Sequence, residues 1–435
     1  MISTAVELKK LNGRFYVFNR RVSIQMELNE SGYRIIRAIQ ETKNIKAAFE
    51  EIQKEYEIEK ADFADFVDNL KRLCIVVENN STNKPLNWTV EWDITNGCNL
   101  RCKHCMVSSS APLPDELSTQ QAFDLIDQLS ESEFKIIVFS GGEPLSRKDF
   151  PEILKYAYKK GFYTKLLTNA SLIDDSMAKL LAENDILFCQ ISLDGSDTET
   201  FGKIRGKGVF EKVVQGLKNL KKYGLNFGAT MVVTSDNYMK IEETLQLAIS
   251  LGASSFAAGQ LQIVGRALNT GIQPPPFREK EFEFDKIMRQ MGQKYQDKII
   301  VRNYIDTVLN RKELGEKGYL VSSCSRIDQG ISIFPDGTIT FCKGFYGKCD
   351  AMLVDNKSNF SLGRFPQDSI STVLKKRNKY NFNIVDNSSV CQKCFVSELC
   401  LGGCPAEHFI KNGDFVVSEG QCDYKDELLE LKANV

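Results

Sequence analysis

Residues 88–263 alternate short apolar runs with amphipathic segments, and this alternation limits the fold more than any other feature of the sequence. Runs of this kind separated by helical segments form parallel sheets with right-handed crossovers. The predicted strands are Trp88–Thr95, Lys135–Phe139, Phe162–Leu167, Ile186–Ser192, Asn226–Val233 and Ser255–Ile263. The predicted helices are Ser118–Ser130, Phe150–Lys160, Asp174–Glu183, Val209–Tyr223 and Ile241–Leu251. The pattern predicts an α/β fold, most simply a partial (β/α)6 TIM barrel, whose ligand site lies at the C-terminal ends of the strands.

Three cysteines, Cys98, Cys102 and Cys105, follow the first predicted strand at spacings of three and then two residues. A tight loop of this kind can hold three irons of a four-iron cluster and leave the fourth iron open for chemistry. The alternative is structural zinc, but zinc normally takes four ligands in paired Cys-x-x-Cys units. The loop therefore predicts an iron–sulfur centre at the end of the barrel where a site is expected.

The bulk composition excludes several classes of protein. Lys+Arg number 56 against Asp+Glu 57, so no overall field favours nucleic acid. No apolar run approaches about 18 residues and no signal peptide is apparent, which predicts a cytoplasmic protein without a membrane partner. The 13 cysteines then favour metal binding over disulfides. With only two histidines, imidazole-based catalysis is disfavoured.

The patterning divides the chain into residues 1–80, 88–300 and 310–435, with a polar linker between the first two. In the first unit, a strand ending at Leu28 has a partner strand around Phe15 and is followed by three short helices, a winged-helix-like arrangement. Asn29 is the predicted cap of the first helix. DNA binding and simple packing are the alternatives, although the third helix lacks the basic cluster that DNA binding requires.

The third unit, residues 310–435, is rich in cysteine and poor in long apolar periods, so its fold is expected to depend on metal. Paired zinc ribbons are the alternative to iron–sulfur clusters here. Cys74 and Cys189 lie in apolar contexts and are predicted to be core residues. The candidate ligands of the third unit are Cys324, Cys342, Cys349, Cys391, Cys394, Cys400, Cys404 and Cys422.

The cysteine loop resembles the signature of the radical S-adenosylmethionine (SAM) superfamily, and the strand ends match the same family. Gly141-Gly142-Glu143-Pro144 follows the second predicted strand as the family's GGEP motif does, which implies that it holds the amino group of SAM. Arg205 resembles the arginine that pairs with the SAM carboxylate, with a solvated surface charge as the alternative. Further implied contacts are Thr168, Asn169, Ser192 and Asp194 to the ribose or methionine part, and Val264 and the His104 backbone to adenine.

Two flanking resemblances extend this interpretation. Residues 1–78 resemble the PqqD-like domain, typified by the pyrroloquinoline-quinone chaperone, which binds a leader peptide as an added strand. The third unit resembles the SPASM extension with two auxiliary [4Fe–4S] clusters. The resemblance implies one cluster on Cys391, Cys394, Cys400 and Cys422, and another on Cys324, Cys342 and Cys404. Cys349 could complete the second cluster, or its fourth position stays open for a substrate thiolate.

Together these resemblances imply a radical SAM/SPASM peptide maturase that uses SAM and three [4Fe–4S] clusters. A 5′-deoxyadenosyl radical would abstract hydrogen from a precursor peptide with a leader, and flavodoxin or ferredoxin would supply electrons. The expected product is a thioether cross-link, as in sactipeptide and ranthipeptide synthases. The alternatives are a carbon–carbon or carbon–oxygen cross-link, a formylglycine-generating sulfatase maturase, and a non-enzymatic iron–sulfur redox protein. The GGEP segment argues against the last, because an electron carrier needs no cofactor cradle.

Overall fold

The computed structural model describes residues 1–19, 24–77, 89–276, 281–303, 330–345, 361–380 and 384–394, with residues 397, 402, 416 and 417. The predicted linker and the candidate ligands Cys324, Cys349, Cys400, Cys404 and Cys422 lie outside these residues. Within the described ranges, no helix has the length and apolar character needed to cross a membrane.

Three antiparallel strands and three helices form the N-terminal unit. Asn29 caps the first helix as predicted, since its Oδ1 accepts a hydrogen bond from Gly32 N at 2.8 Å. The first strand was not predicted, because it is an edge strand in which two lysines interrupt the apolar alternation. The elements are β1 (Val6–Leu11), β2 (Arg14–Asn19), β3 (Ile24–Leu28), α1 (Glu30–Thr42), α2 (Ile45–Ile52) and α3 (Lys60–Arg72).

The six predicted parallel strands and five predicted helices of the central unit are present. They are β4 (Thr89–Thr95), α4 (Thr119–Ser130), β5 (Ile136–Gly141), α5 (Phe150–Lys159), β6 (Tyr163–Thr168), α6 (Asp175–Glu183), β7 (Phe188–Ser192), α8 (Phe210–Lys222), β8 (Phe227–Val233), α9 (Ile241–Leu251) and β9 (Ser255–Gln260). One further helix, α7 (Thr198–Arg205), lies between β7 and α8. The sequence pattern missed it because it is short and has few apolar residues, although Asp197 caps it by accepting from Thr200 N at 2.8 Å.

The sheet continues beyond the six predicted strands on both sides. Among the described residues it gains β10 (Ile300–Arg302) beside β9, and β11 (Gly330–Ile333), β12 (Thr338–Thr340) and β13 (Gly363–Arg364) beyond β4. The strand order is β10-β9-β8-β7-β6-β5-β4-β11-β12-β13, and β11 pairs in parallel with β4. Strands β11 to β13 belong to the predicted third unit, residues 310–435. One sheet therefore spans the predicted boundary between the second and third units. The added helices are α10 (Glu281–Lys294), α11 (Ile370–Arg377), α12 (Ile384–Asn387) and α13 (Ser389–Gln392).

Alternation along β4 separates the apolar core from the inner face of the sheet. Val90, Trp92 and Ile94 are fully buried in the core that lies between the sheet and its helices. Successive side chains of a strand point to opposite faces, so Glu91 and Asp93 point to the inner face. Strand β4 therefore carries a charged inner face directly below the cysteine loop that follows it.

Residues 1–77 pack against the N-terminal ends of the central strands. Ile136, the first residue of β5, is fully buried in the core of the N-terminal unit. Gln25 of β3 donates a hydrogen bond to Ser254 Oγ, just before β9, at 2.8 Å. The unit thus lies at the end of the sheet opposite to the cysteine loop.

The two isolated cysteines differ in their surroundings. Cys189 on β7 is fully buried in the core, as predicted. Cys74 is only half-buried and has a φ of 50°, because it lies in the turn that follows α3. It packs against the core of the N-terminal unit without being fully buried, so the prediction of a buried core residue is met only in part.

Deleting residues 1–77 is expected to lower the stability of the remaining chain. Exposing Ile136 alone costs about 1.5–3 kcal/mol of hydrophobic burial. Calorimetry should show a lower melting temperature, and a hydrophobic dye should bind the truncated protein. Glu41→Gln, which removes one charge of an exposed ion pair with Arg37, is the control and should change stability by less than about 0.5 kcal/mol. An unchanged melting temperature on deletion would mean that the unit is not needed to cover the sheet.

Candidate active site

The cysteine loop leaves the C-terminal end of β4 and is held there by the backbone of the GGEP segment. Gly142 N donates to Thr95 O at 2.8 Å, and Glu143 N donates to Gly97 O at 2.8 Å. A Cβ added to Gly142 would lie 2.1 Å from Gly97 O, so only glycine allows this approach. Gly141, with a φ of 121°, needs glycine for its backbone conformation as well.

Each thiol of the loop has one N–H donor. Leu100 N lies 3.4 Å from Cys98 Sγ, and Ser109 N lies 3.3 Å from Cys105 Sγ. Arg205 Nη1 lies 3.7 Å from Cys102 Sγ. Burial raises the pKa of Cys98 to about 11 and also raises the pKa of Cys102, so both are neutral thiols until a metal displaces their protons.

The arrangement of the loop thiols is compatible with a four-iron cluster. Among the residues that the structure describes, no group of three His, Cys, Asp or Glu side chains is arranged to hold one metal ion. In a four-iron cluster each thiolate binds a different iron, so the sulfurs need not converge on one point. The N–H donors at the three sulfurs also stabilise the thiolate form that such a cluster requires.

Glu143 joins the ends of β5 and β6. Its carboxylate is 1% exposed and accepts hydrogen bonds from Thr168 Oγ1 at 2.7 Å, Asn169 N at 2.8 Å and Leu145 N at 3.2 Å. Burial raises the pKa of Glu143, while these hydrogen bonds oppose the shift. The structure therefore brings the GGEP segment, Thr168 and Asn169 together through the Glu143 carboxylate, which accepts its hydrogen bonds from the protein itself.

Asn99 is a loop residue that sequence reasoning missed. Its Oδ1 accepts from Asn169 Nδ2 at 2.9 Å, and its own Nδ2 donates to Ser171 Oγ at 2.9 Å. The side chain thus ties the cysteine loop to the end of β6. Its position between two cysteines was the available signal, but an asparagine in a loop is too common to single out.

A buried group of charged side chains lies at the end of β7. Asp194 is fully buried, and its Oδ2 accepts from Arg205 Nε at 2.6 Å. Arg205 is 8% exposed, so the alternative of a solvated surface charge is wrong. Ser192, the last residue of β7, is half-buried two positions before Asp194 in the chain.

His104 completes this group from the cysteine loop. Its Nε2 lies 3.4 Å from Arg205 Nη2, and burial lowers the pKa of the imidazole to about 4. Its Nδ1 is buried and has no hydrogen-bond partner among the described residues. A buried ring nitrogen of this kind is a group that a bound ligand can satisfy.

The segment after β9 closes over the loop. Gly265 has a φ of 55°, and a Cβ there would lie 2.0 Å from Met106 O. Arg266, two residues after Val264, donates through Nη1 to Cys102 O at 2.9 Å and through Nη2 to Ser109 O. Val264 itself is extended and half-buried next to this contact.

Three of the candidate auxiliary ligands are described. Cys391 is buried in α13, and Cys394 N donates to Cys391 O at 3.1 Å. Cys342 follows β12 and is half-buried. The next residue, Lys343, reaches the inner face of the sheet, where its Nζ lies 2.6 Å from Asp93 Oδ1 and 2.9 Å from Ser140 Oγ.

Comparison with known proteins places this site in a family. The model of the radical SAM superfamily matches residues 92–248. The mycofactocin maturase of Mycolicibacterium smegmatis is 30% identical over 321 residues, which cover 73% of this chain and 78% of that protein. The chain belongs to the radical SAM superfamily. It is an enzyme, and the non-enzymatic alternative is wrong.

Other similar proteins differ in their names. An AdoMet-dependent heme synthase of Oleidesulfovibrio alaskensis is 28% identical over 359 residues, which cover 77% of this chain and 87% of that protein. The crystal structure of Streptococcus suis SuiB bound to S-adenosylmethionine has a TM-score of 0.62 and 16% identity, covering 97% of this chain and 100% of SuiB. SuiB is also known bound to its precursor peptide SuiA. At this identity the likeness to SuiB establishes the fold alone.

The residues of this radical SAM site fit the cofactors of the family, SAM and a [4Fe–4S] cluster. The three loop thiols have N–H donors. Next to them, the buried Nδ1 of His104 has no hydrogen-bond partner among the described residues. These features suit a cluster and a polar, planar ligand next to it.

Proposed function

We propose that this radical SAM enzyme cross-links a ribosomally made precursor peptide, forming a thioether between a cysteine sulfur and a carbon atom. The observation that carries the proposal is the position of Lys343. Lys343 follows Cys342, which is a candidate ligand of an auxiliary cluster. The Lys343 side chain forms an ion pair with Asp93 on the inner face of β4. This ion pair supports the proposal that Cys342 lies near the inner face of β4 and thus near the radical site.

The N-terminal unit, at the other end of the sheet, supports the proposal that the substrate is a peptide. Residues 1–77 form an antiparallel sheet whose order, β1-β2-β3, leaves β1 and β3 at the edges. An extended peptide can add to such an edge through backbone hydrogen bonds. The fold likeness to SuiB, a protein known with a bound precursor peptide, extends over 97% of this chain and supports a shared arrangement of units.

The residues of the site have distinct roles in this proposal. Cys98, Cys102 and Cys105 hold the cluster, and Gly142 allows the backbone of the cysteine loop to pack closely against the GGEP segment. Arg205 orients a carboxylate, for which its planar guanidinium is suited. When bound, the cluster and SAM supply hydrogen-atom abstraction from an unactivated C–H bond. Asp194 and Glu143 are themselves buried, so water does not compete for their hydrogen bonds.

The third unit would hold two auxiliary [4Fe–4S] clusters in a SPASM arrangement. One rests on Cys391, Cys394, Cys400 and Cys422, and the other on Cys324, Cys342 and Cys404, with Cys349 as a possible fourth ligand. A fourth position open to a substrate thiolate would suit thioether formation. A fully ligated cluster would suit carbon–carbon or carbon–oxygen cross-linking, or formylglycine formation.

Iron stoichiometry tests the number of clusters. Anaerobically reconstituted enzyme is expected to bind about twelve irons, since three cubane clusters contain four irons each. The variant with Cys391→Ala and Cys394→Ala should lose about four of these irons but still cleave SAM when reduced. A wild-type content of four irons or fewer would remove the auxiliary clusters from the proposal.

A tetrapyrrole substrate is the second candidate. It is favoured by the similarity to the heme synthase of Oleidesulfovibrio alaskensis, which matches 77% of this chain.

The peptide and tetrapyrrole candidates can be compared in one experiment. The reduced enzyme is incubated with SAM and either an iron porphyrin or each short peptide encoded beside its gene. A peptide that loses two hydrogen atoms by mass spectrometry, together with a cysteine that no longer reacts with iodoacetamide, supports the thioether.

Other outcomes of this experiment separate the alternatives. Loss of two hydrogens with every cysteine still alkylated indicates a carbon–carbon or carbon–oxygen bond if the product lacks an aldehyde, and formylglycine made from serine if it reacts with an aldehyde probe. A porphyrin that changes mass while all peptides remain unmodified overturns the peptide proposal. The Cys98→Ala variant is the control for background oxidation.

The leader is best tested on the peptide, because the N-terminal unit packs on the barrel through Ile136. A precursor that lacks its leader is expected to bind at least about tenfold more weakly, roughly 1.4 kcal/mol. SAM cleavage uncoupled from the peptide should continue. Fluorescence anisotropy of labelled peptides measures this difference. Equal affinity with and without the leader would assign residues 1–77 another role.

A further inference from the structure

The three cysteines of the loop differ in the donors at their sulfurs. Cys98 and Cys105 receive backbone N–H groups, from Leu100 at 3.4 Å and Ser109 at 3.3 Å. Cys102 is the most buried of the three, at 8% exposure, and its sulfur faces Arg205 Nη1 at 3.7 Å. Among the described residues that donate to these sulfurs, Arg205 alone brings a full positive charge.

Arg205 is held in this position by contacts on its other side. Its Nε donates to Asp194 Oδ2 at 2.6 Å. Asp194 is in turn fixed, because its Oδ1 accepts from Val232 N at 2.7 Å and its backbone O accepts from Asn237 Nδ2 at 2.9 Å. The guanidinium therefore belongs to a rigid, buried arrangement at the ends of β7 and β8, and it cannot swing away from the sulfur freely.

We propose that Arg205 sets the reduction potential of the cluster held by Cys98, Cys102 and Cys105, by placing its guanidinium charge at the Cys102 sulfur. Reduction adds one electron to the cluster, and a nearby positive charge stabilises the added negative charge. Hydrogen bonds to cluster sulfurs and nearby charge are known determinants of such potentials. Burial strengthens the effect, because little water is present to screen it.

Asp194 has the opposite influence in this arrangement. Its carboxylate compensates part of the guanidinium charge, and it is 0% exposed. Removing the charge of Arg205 should therefore make the cluster harder to reduce, whereas removing the charge of Asp194 should make it easier to reduce. Two residues in direct contact are expected to shift the same potential in opposite directions, which a purely structural role would not produce.

The test is a redox titration of the full-length reconstituted enzyme without SAM, followed by electron paramagnetic resonance, with dithionite as the electron donor. The relevant cluster is identified by the spectral change that added SAM causes in a parallel sample. Arg205→Gln is expected to lower the equilibrium constant for one-electron reduction at least tenfold, which equals about 59 mV. Asp194→Asn should raise it. Lys203→Gln, which removes an exposed charge from the same helix α7, is the matched control and should shift nothing.

Arg205→Lys extends the series, because it keeps the charge without the planar fork. The reduction potential of the Arg205→Lys enzyme should lie between the potentials of the wild type and of Arg205→Gln. If Arg205→Gln does not load iron, Arg205→Lys is measured in its place. An Arg205→Gln potential equal to that of Lys203→Gln overturns the proposal, as do shifts of equal sign in the Arg205 and Asp194 variants. The inference about Arg205 rests on the superfamily assignment and not on the peptide substrate. The Arg205 proposal and the peptide proposal can therefore fail independently of each other.

Discussion

Replacing Cys98 with alanine is expected to abolish the reductive cleavage of SAM. The thiol lies in the loop after β4, with Leu100 N donating to its sulfur at 3.4 Å. With two thiolates left, the cluster loses one of its three protein ligands and its open iron is no longer defined. Activity should fall at least about 1000-fold, roughly 4 kcal/mol of barrier. Chromatographic measurement of 5′-deoxyadenosine after addition of dithionite provides the readout.

Cys74→Ala is the matched control for this variant. Cys74 is a half-buried thiol in the turn after α3, at the opposite end of the sheet from the loop. Its replacement should leave SAM cleavage and iron content unchanged. If the Cys98 variant still cleaved SAM at the wild-type rate, the loop would not be the active centre.

Replacing Gly142 with alanine is expected to weaken SAM binding strongly while leaving the fold intact. The new methyl group would lie 2.1 Å from Gly97 O and 2.7 Å from Asn96 O, which are backbone atoms of the cysteine loop. Relief of such a contact requires a backbone shift that costs about 1–3 kcal/mol. This energy corresponds to roughly 5- to 150-fold in affinity, provided that the shift displaces the loop from the SAM site. Equilibrium dialysis with labelled SAM measures the loss.

Gly259→Ala is the control for the glycine substitution. Gly259 lies on β9, and a Cβ added there has no heavy atom within 4 Å. Its affinity for SAM should equal that of the wild type. Equal affinity in the Gly142 variant would show that the GGEP backbone can move without disturbing the site.

The alternating pattern predicted the central sheet because its signals are local. Each strand from β4 to β9 is a short apolar run, and helices α4, α5, α6, α8 and α9 have their apolar residues at helical spacing. The residues at the strand ends could also be found, since parallel strands bring their C-terminal ends to one edge. Helix α7 and strand β1 escaped prediction because neither has enough apolar residues to produce a period.

The pairing of β11 with β4 could not be predicted from the sequence. Gly330 pairs with Thr89, so the two strands are far apart in the chain, and β11 has only four residues. A strand of four residues could pair with many strands in many registers, and only the folded edge of β4 selects one of them. The same holds for Asn99 and Arg266, whose polar contacts depend on segments that are distant in sequence.

The sequence by itself determined the α/β class, the order of the central elements and the identity of the loop cysteines. These properties follow from residue type and spacing within short windows. The tertiary structure decided the burial of Arg205 against Asp194 and Cys102, the contact of Lys343 with Asp93, and the cover that residues 1–77 form over Ile136. Such contacts depend on which distant segments pack together, and burial then determines how strongly their charges act.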